Sequence, residues 1–423
     1  MTRAGDIVER LRKLEGGGLR TFAEDPPFVW ESAKGCHVED ADGRRYLDLY
    51  GGFAVGAIGY GHPKVVEAIQ RQATTLMHCP SAHPSRVRAE FYEALAGIAP
   101  AGLDRFLPAI TGAMANEMAL LLARTRRPDG VIVSFAGSYF GRSVGTVAFA
   151  GKQRYREALG IPAGGPLVPF PYPLRHGTAA SDLTLQALEE LAAPQGRPLA
   201  AVILEPIQGN GGVVIPPADF LPRLRAFCDR EGALLILDEV QSGCGRTGRF
   251  WAVEHSAVTP DLMTVGKGIG GGVAAAAVLG RGEAMTWKPD SYTATFLTNN
   301  LNLAAAVAAI GVMRDEQLAG RAAAIGPSGL ARLKAALADF PGVREVRGLG
   351  LWYAAELADS AWAARALKLA RERGVIVGRG GYDDSVIKLS PALVIAEGDL
   401  HAGIDAVAGA IRDSAQDSRE TKR

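Results

Sequence analysis

Cysteine is scarce in this chain. Cys36, Cys79, Cys228 and Cys244 are scattered, with neither a CxxC pair nor a histidine cluster at metal-ligand spacing. That excludes a disulfide scaffold and a thiolate metal centre, and it predicts a reduced, cytoplasmic protein without a metal site. Charge of one sign is also missing: 46 basic against 45 acidic residues leave 46 − 45 = +1, with no block of like charge. Neither a nucleic-acid nor a membrane footprint is present, so small-molecule chemistry is favoured. Long apolar runs are lacking as well. The longest candidate, Val273 to Leu279, falls far short of the roughly 18 residues of a membrane span. At the amino terminus, Asp6, Glu9, Arg10, Arg12, Lys13 and Glu15 surround Ile7, Leu11 and Leu14. This pattern suits a short amphipathic helix and not the apolar core of a signal peptide. No internal repeat is found.

At 423 residues the chain exceeds the roughly 250 to 300 residues that one core usually serves, so two domains are expected. Short apolar runs at Val131–Val133, Ala201–Leu204, Ala233–Leu237, Leu262–Val265 and Ala274–Leu279 alternate with helix-period segments. In one of these segments Phe220, Leu221, Leu224, Phe227 and Cys228 mark a single face, and Gly232 closes the helix. Repetition of strand, helix and strand predicts an α/β fold, a central mostly parallel sheet with helices on both faces. Ligands of such sheets bind beyond the carboxyl ends of the strands. The run ends carry Gly112, Gly137 to Tyr139, Glu205, Asp238 and Lys267. Both chain ends read as mixed and strand-bearing, including a hairpin-like stretch from Cys36 to Leu47. We therefore expect a smaller α+β domain built from residues 1–55 and 311–423, flanking a large domain of residues 56–310. The polar tail from Asp413 to Arg423 is expected to be disordered.

Lys267 stands in Gly266-Lys267-Gly268, and 267 − 238 = 29 residues earlier an apolar run ends in Asp238-Glu239. A buried amine and a buried carboxylate, each ending its own strand, are what a pyridoxal 5'-phosphate site requires. The cofactor's aldehyde condenses with a lysine amine, and its ring is an electron sink only while the ring nitrogen keeps its proton. A carboxylate about 4 Å away gains roughly 4 kcal/mol at an effective dielectric near 20, about three pKa units. Desolvation lowers an ammonium pKa and frees the nucleophilic amine. Taken alone, a lysine between glycines is ordinarily a solvated loop residue, and Asp-Glu after a strand ordinarily caps the next helix. The Val240-Gln241-Ser242-Gly243 that follows argues otherwise. Gly268 to Gly272 lacks the Gly-Lys-Ser/Thr of a nucleotide loop.

Together these residues resemble the class III aminotransferases, the ω-aminotransferase group of fold type I pyridoxal-phosphate enzymes. The resemblance runs from Asp42-Gly43 and Gly61-His62-Pro63 to Lys388-Leu389-Ser390-Pro391. It is carried by Glu205-Pro206-Ile207-Gln208-Gly209, by Asp238 to Gly243 with Gly245-Arg246-Thr247-Gly248, and by Gly266-Lys267-Gly268. It implies that Lys267 is the imine lysine and proton shuttle and that Asp238 faces the pyridine nitrogen. Val240 and Tyr139 would cover the two ring faces, Gln241 would meet the phenolic oxygen, and Glu205 would belong to the cofactor-binding set. The phosphate would rest on the backbone amides of Gly112 and Ala113, at a helix start. Thr295 would complete this cup from a second subunit, so the resemblance implies a homodimer with active sites at the interface. Lys388 would face the substrate, and Phe53, in Gly51-Gly52-Phe53-Ala54, would either line the substrate pocket or simply fill a turn.

The sequence also departs from the family pattern. Gly-Ser/Thr-Glu at the phosphate cup is Gly112-Ala113-Met114 here, which removes a hydroxyl contact. Aromatic-His-Gly is Tyr139-Phe140-Gly141, and the acidic residue often found after Gln-Gly is Asn210. Lys388 stands where many members carry an arginine that clamps the substrate's α-carboxylate; a lysine pairs only as a point charge. Trp287-Lys288-Pro289, Thr295-Phe296 with Asn299-Asn300-Leu301, and Lys388-Leu389 resemble the diaminobutyrate:2-oxoglutarate aminotransferases, although Leu297-Thr298 replaces their usual Arg-Gly. The implied reaction moves an amino group between a primary amine or diamino acid and a keto acid, with glutamate and 2-oxoglutarate as the partner pair. An aminomutase, racemase or decarboxylase on the same fold is the alternative. The departures at Ala113, Phe140 and Asn210 also allow a pseudo-enzyme.

Overall fold

The computed structural model describes residues 2–23, 27–192 and 197–415. Thr2 caps the first helix, Arg3–Leu14, by accepting the N–H of Gly5, and this helix buries none of its side chains. At the other end, helix Glu397–Asp413 carries the chain as far as Asp413. Of the expected polar tail, residues 416–423 lie outside the described residues.

Near the amino terminus the strands are β1 (Trp30–Lys34), β2 (His37–Asp40) and β3 (Arg45–Asp48). The middle of the chain supplies β4 (Arg105–Ala109), β5 (Val131–Phe135), β6 (Leu167–Val168), β7 (Leu199–Leu204), β8 (Leu234–Asp238), β9 (Leu262–Val265) and β10 (Ala276–Gly280). The last part adds β11 (Val343–Leu349), β12 (Trp352–Leu357), β13 (Val375–Ile376), β14 (Gly378–Gly380) and β15 (Val386–Leu389). They form a seven-stranded sheet in the order β4-β10-β9-β8-β7-β5-β6 and two four-stranded sheets, β1-β2-β3-β13 and β11-β12-β15-β14. The expected hairpin is β2 with β3, and β13 joins β3 in parallel, so distant parts of the chain share one sheet.

Every residue of β7 and β8 is buried, which is why these strands read as continuous apolar runs without alternation. Their side chains nevertheless divide between two faces. Leu234, Ile236 and Leu262 pack with Ala115, Met118 and Leu122 of helix Gly112–Arg126. Leu235, Leu237 and Met263 pack with Phe220, Leu224 and Phe227 of helix Phe220–Glu231. Each of the leucine, isoleucine, methionine and phenylalanine side chains contributes roughly 1.5–3 kcal/mol. Gly232 ends the second helix at φ 61, a left-handed position that a side chain would strain, as its place after the periodic run predicts.

The sheet is not wholly parallel. β10 runs antiparallel to both β9 and β4, whereas the pairings among β5, β6, β7, β8 and β9 are parallel. Two reversals restore the direction of β4, so the carboxyl ends of β4, β5, β7, β8 and β9 share one edge of the sheet. Among the described residues no helix is long and apolar enough to cross a membrane.

Candidate active site

Along that edge, side chains from five strand ends surround a cavity of about 200 Å³ lined by Gly112, Ala113, Asn116, Tyr139, Phe140, Gly141, Arg142, Glu205, Asp238, Val240, Gln241 and Lys267. Eight of the eleven residues singled out from sequence therefore meet in one place: Gly112, Ala113, Tyr139, Glu205, Asp238, Val240, Gln241 and Lys267. Thr295, Phe53 and Lys388 do not line it.

Asp238 ends β8 on the face shared with Leu234 and Ile236, so its carboxylate turns toward helix Gly112–Arg126. Its Oδ1 accepts the N–H of Val240 at 2.8 Å and its Oδ2 accepts from Asn116 Nδ2 at 2.7 Å. Burial raises the Asp238 pKa, and Lys267, the Val240 N–H, Asn116 and Thr264 oppose that rise. Lys267 follows β9 at φ 48, a left-handed conformation that is uncommon for a side-chain-bearing residue and is found disproportionately at functional sites. Desolvation lowers its pKa, which Asp238 and Glu205 partly offset. Glu205 accepts the N–H of Tyr139 at 2.9 Å and of Gly209 at 2.7 Å, and burial, then Asp238, pushes its pKa up to about 7.

The helix start is shaped for an anion. Thr111 Oγ1 accepts the N–H of Met114 at 3.1 Å, while the Thr111 carbonyl accepts that of Ala115. The amides of Gly112 and Ala113 have no partner among the described residues, and both residues line the cavity at the positive end of the helix dipole. A side chain on Gly112 would come within 2.7 Å of Val240 Cγ1, so Val240 packs directly on this turn. Two spare amides, a desolvated amine and an oriented carboxylate around one cavity match the phosphate, aldehyde and ring nitrogen of pyridoxal phosphate.

Lys388 lies on β15 and is only 2% exposed. Its Nζ donates to the Gly209 carbonyl at 3.2 Å and lies 5.9 Å from the Tyr50 ring centroid; no carboxylate pairs with it among the described residues. Burial, then Lys267 and Lys152, pulls its pKa down to about 7. Phe53 is 57% exposed and packs at a tilt against Tyr50, with ring centroids 4.9 Å apart. It belongs to a left-handed turn that Asp48 holds by accepting the N–H groups of Tyr50, Gly51 and Gly52. Thr295 is exposed on a turn beside Phe296.

Two lining residues escaped the sequence reading. Asn116 has no motif of its own; its one available signal is its position a helical turn after Gly112. Arg142 has its guanidinium 3.9 Å above the Tyr155 ring and 5.8 Å from the Tyr139 ring, with no carboxylate partner among the described residues. A lone arginine after Gly141 carries no signal by itself.

The sequence pattern of the family described as aminotransferase class-III matches residues 21–411. An acetylornithine aminotransferase of Methanothermobacter thermautotrophicus is 36% identical over 409 residues, covering 96% of this chain and 99% of that protein. A diaminobutyrate--2-oxoglutarate aminotransferase of Rhizobium meliloti is 35% identical over 434 residues, covering 96% of this chain and 91% of that one. Among solved structures, the ornithine aminotransferase of Toxoplasma gondii, described with partial occupancy of pyridoxal phosphate at its active site, superposes with a TM-score of 0.88. It is 28% identical and covers 99% of this chain and 97% of its own. These relatives do not favour the aminomutase, racemase or decarboxylase alternative. With the strand-edge cavity, the match over nearly the whole length makes this chain a member of the class III aminotransferases, pyridoxal-phosphate-dependent enzymes of fold type I.

Proposed function

We propose that the enzyme moves the terminal amine of a short diamino acid or related ω-amine to a keto acid, with glutamate and 2-oxoglutarate as the partner pair. The observation that carries the reading is the meeting of the Lys267 amine and the Asp238 carboxylate in one cavity. Two basic side chains without carboxylate partners among the described residues, Arg142 on its lining and Lys388 behind Gly209, suit substrates with carboxylates. When bound, pyridoxal phosphate supplies an aldehyde that takes up an amine and a ring that withdraws electrons from the substrate carbon. Gly112 and Ala113 would hold its phosphate, Tyr139 and Val240 its ring faces, Gln241 its phenolic oxygen and Asp238 its ring nitrogen. Glu205 steadies the Tyr139 and Gly209 backbone. Lys267 Nζ removes a proton from the substrate carbon as base and returns it as acid, for which its lowered pKa suits it.

A screen of ω-amines and diamino acids with 2-oxoglutarate and pyruvate, read by keto-acid consumption, tests this. Failure of every amine to consume either acid rejects it; turnover without a second carbonyl substrate returns the aminomutase, racemase and decarboxylase reading.

Lys388 gives a pH prediction. Burial holds the folded-state pKa down at about 7, below the 10.5 usual for lysine, so withholding that proton costs the fold stability, increasingly as pH falls from 10.5 to 7 and fully below 7. Lys388→Met should raise the melting temperature near pH 7 by a few degrees, a gain that disappears near pH 11. Binding a substrate carboxylate restores the proton. The KM for 2-oxoglutarate should thus rise by up to about tenfold per pH unit above neutrality in the native enzyme, and by about tenfold at pH 7 in Lys388→Met. A pH-independent KM would remove Lys388 from the substrate site.

We further propose a cytoplasmic homodimer in which Thr295 completes the phosphate cup of a second copy. Leu76, Met77 and Phe296 are 47%, 56% and 57% exposed, and Phe296, next to Thr295, has its ring 5.5 Å from that of His78, the residue after Met77. Phe296→Asp should weaken self-association at least about tenfold by sedimentation and weaken cofactor binding with it. An unchanged dimer would exclude this face. The four cysteines are buried free thiols, as suits a reducing compartment. Residues up to 55 and from 311 onward we take as one smaller domain against the cofactor-binding domain of residues 56–310. Its support is the pairing of β3 with β13 and the restriction of the seven-stranded sheet to the middle of the chain.

A further inference from the structure

Asn116 lies one turn into helix Gly112–Arg126, 1% exposed and on the cavity wall. Its Nδ2 donates to Asp238 Oδ2 at 2.7 Å and to the Phe140 carbonyl at 2.9 Å, and its Oδ1 accepts the Thr264 hydroxyl at 2.6 Å. Four segments of the site therefore meet on one side chain. They are the helix whose start offers the two spare amides, the loop that presents Tyr139, the end of β8, and the β9 strand that leads to Lys267.

The bonds also fix the amide. Both hydrogens of Nδ2 are used, and a flipped amide would set its oxygen against the Phe140 carbonyl and the Asp238 carboxylate, leaving buried acceptors facing each other. Asp238 is then held between the Val240 N–H on one oxygen and Asn116 on the other. A buried asparagine with three bonds is commonly a structural tie. Here one of the three ends on a desolvated carboxylate in the cavity, where a donor acts on charge as well as on packing.

We propose that Asn116 is a positioning residue: clamped by Thr264 and the Phe140 carbonyl, it sets the orientation and the ionised state of the Asp238 carboxylate and ties the Tyr139 loop to it. This rests on the reading of Asp238 as partner of the cofactor's ring nitrogen. The direction of the Asp238 pKa agrees: burial raises it, and Lys267, the Val240 N–H, Asn116 and Thr264 in that order hold it down. The other charged groups around it are Lys267 after β9, Glu205 after β7, Glu239 next in the chain and Arg142 on the cavity wall. None of these is altered by the substitutions below.

The test uses the full-length protein reconstituted with pyridoxal phosphate, comparing the native enzyme with Asn116→Ala, Asn116→Asp, Thr264→Val and Thr264→Ser. Three readouts are taken: cofactor dissociation by protein fluorescence, the visible absorbance of the bound cofactor against pH, and the acid limb of kcat/KM. Asn116→Ala should weaken cofactor binding about tenfold, the worth of a hydrogen bond to a charged group. Less proton is then needed to neutralise Asp238, so the acid limb should move up by about one pH unit. Asn116→Asp should move it further, because a second carboxylate repels the first. Thr264→Val, nearly isosteric, should shift it in the same direction by less, and Thr264→Ser should not shift it; this pair carries the test if Asn116→Ala fails to fold. Native acid limbs and absorbance titrations in Asn116→Ala, Asn116→Asp and Thr264→Val would overturn the proposal, even with lowered melting temperatures. If the native protein itself neither binds the cofactor nor yields a borohydride-fixed adduct on Lys267, the reading of the site and this inference both fail.

Discussion

Lys267→Ala should abolish turnover, lowering kcat by at least about 10⁴-fold, while the protein stays folded. The loss is large because, in the proposed mechanism, one amine serves two purposes, covalent attachment of the cofactor and transfer of the substrate-carbon proton. Removing a general acid–base group alone typically costs 10²–10⁴-fold. The fold should tolerate the change for three reasons. Alanine inherits the same left-handed backbone at φ 48, so no strain is added relative to lysine. The lost methylenes open into a cavity that already exists, so no sealed core void forms. The desolvated amine also disappears, although Asp238 and Glu205 lose a favourable neighbour. Borohydride treatment of the holoenzyme, followed by peptide mass analysis, should fix the cofactor on Lys267 in the native protein and nowhere in Lys267→Ala. Ordinary rates in the variant would refute the assignment.

Asp238→Asn should cost about 10³-fold in kcat/KM, the equivalent of three pKa units for an ion pair about 4 Å apart at an effective dielectric near 20. Size is conserved and charge is lost, so the effect reports electrostatics with little change in packing. A secondary stability cost is expected too. Both carboxylate oxygens now accept from donors, Val240 N–H and Asn116 Nδ2. An amide accepts on one atom only, so its NH₂ must oppose one of those donors, at roughly 1–3 kcal/mol for an unsatisfied buried group. Asn116 cannot relieve this by turning over, because its oxygen is held by Thr264 and its nitrogen by the Phe140 carbonyl. The variant should therefore melt lower than the native protein and bind cofactor more weakly. A fall in activity of less than about tenfold would remove Asp238 from the mechanism.

The parts of the site that could be read from sequence share a property: each is announced by its own short segment. Asp238 closes an apolar run, Lys267 sits between glycines after another, Gly112 starts a helix, and Gly232 stops one. In each case local backbone chemistry links residue type to position. The parts that could not be read depend on partners far along the chain. Asn116 meets Asp238 across 122 residues and Thr264 across 148, and nothing in the neighbourhood of any of the three announces the others. The reversal of β10 was equally hidden, because Ala276–Gly280 is buried throughout and has the same apolar texture as its parallel neighbours.

Lys388 marks the boundary between the two kinds of information. Its place in Lys388-Leu389-Ser390-Pro391 suggested a substrate contact. That its ammonium is shut away with a single carbonyl partner, and so holds its proton only up to about neutrality, depends on β15 lying between β12 and β14 and on the remote Gly209 and Tyr50 meeting its side chain. The order of apolar and polar residues determined the α/β class, the strand ends and the chemical types available there, since these follow from periodicity and backbone preference within a few residues. Tertiary structure alone decided which of those groups lose water, which share one cavity and which fix each other's orientation. Desolvation and hydrogen bonding between remote segments are properties of the packed chain and of no segment by itself.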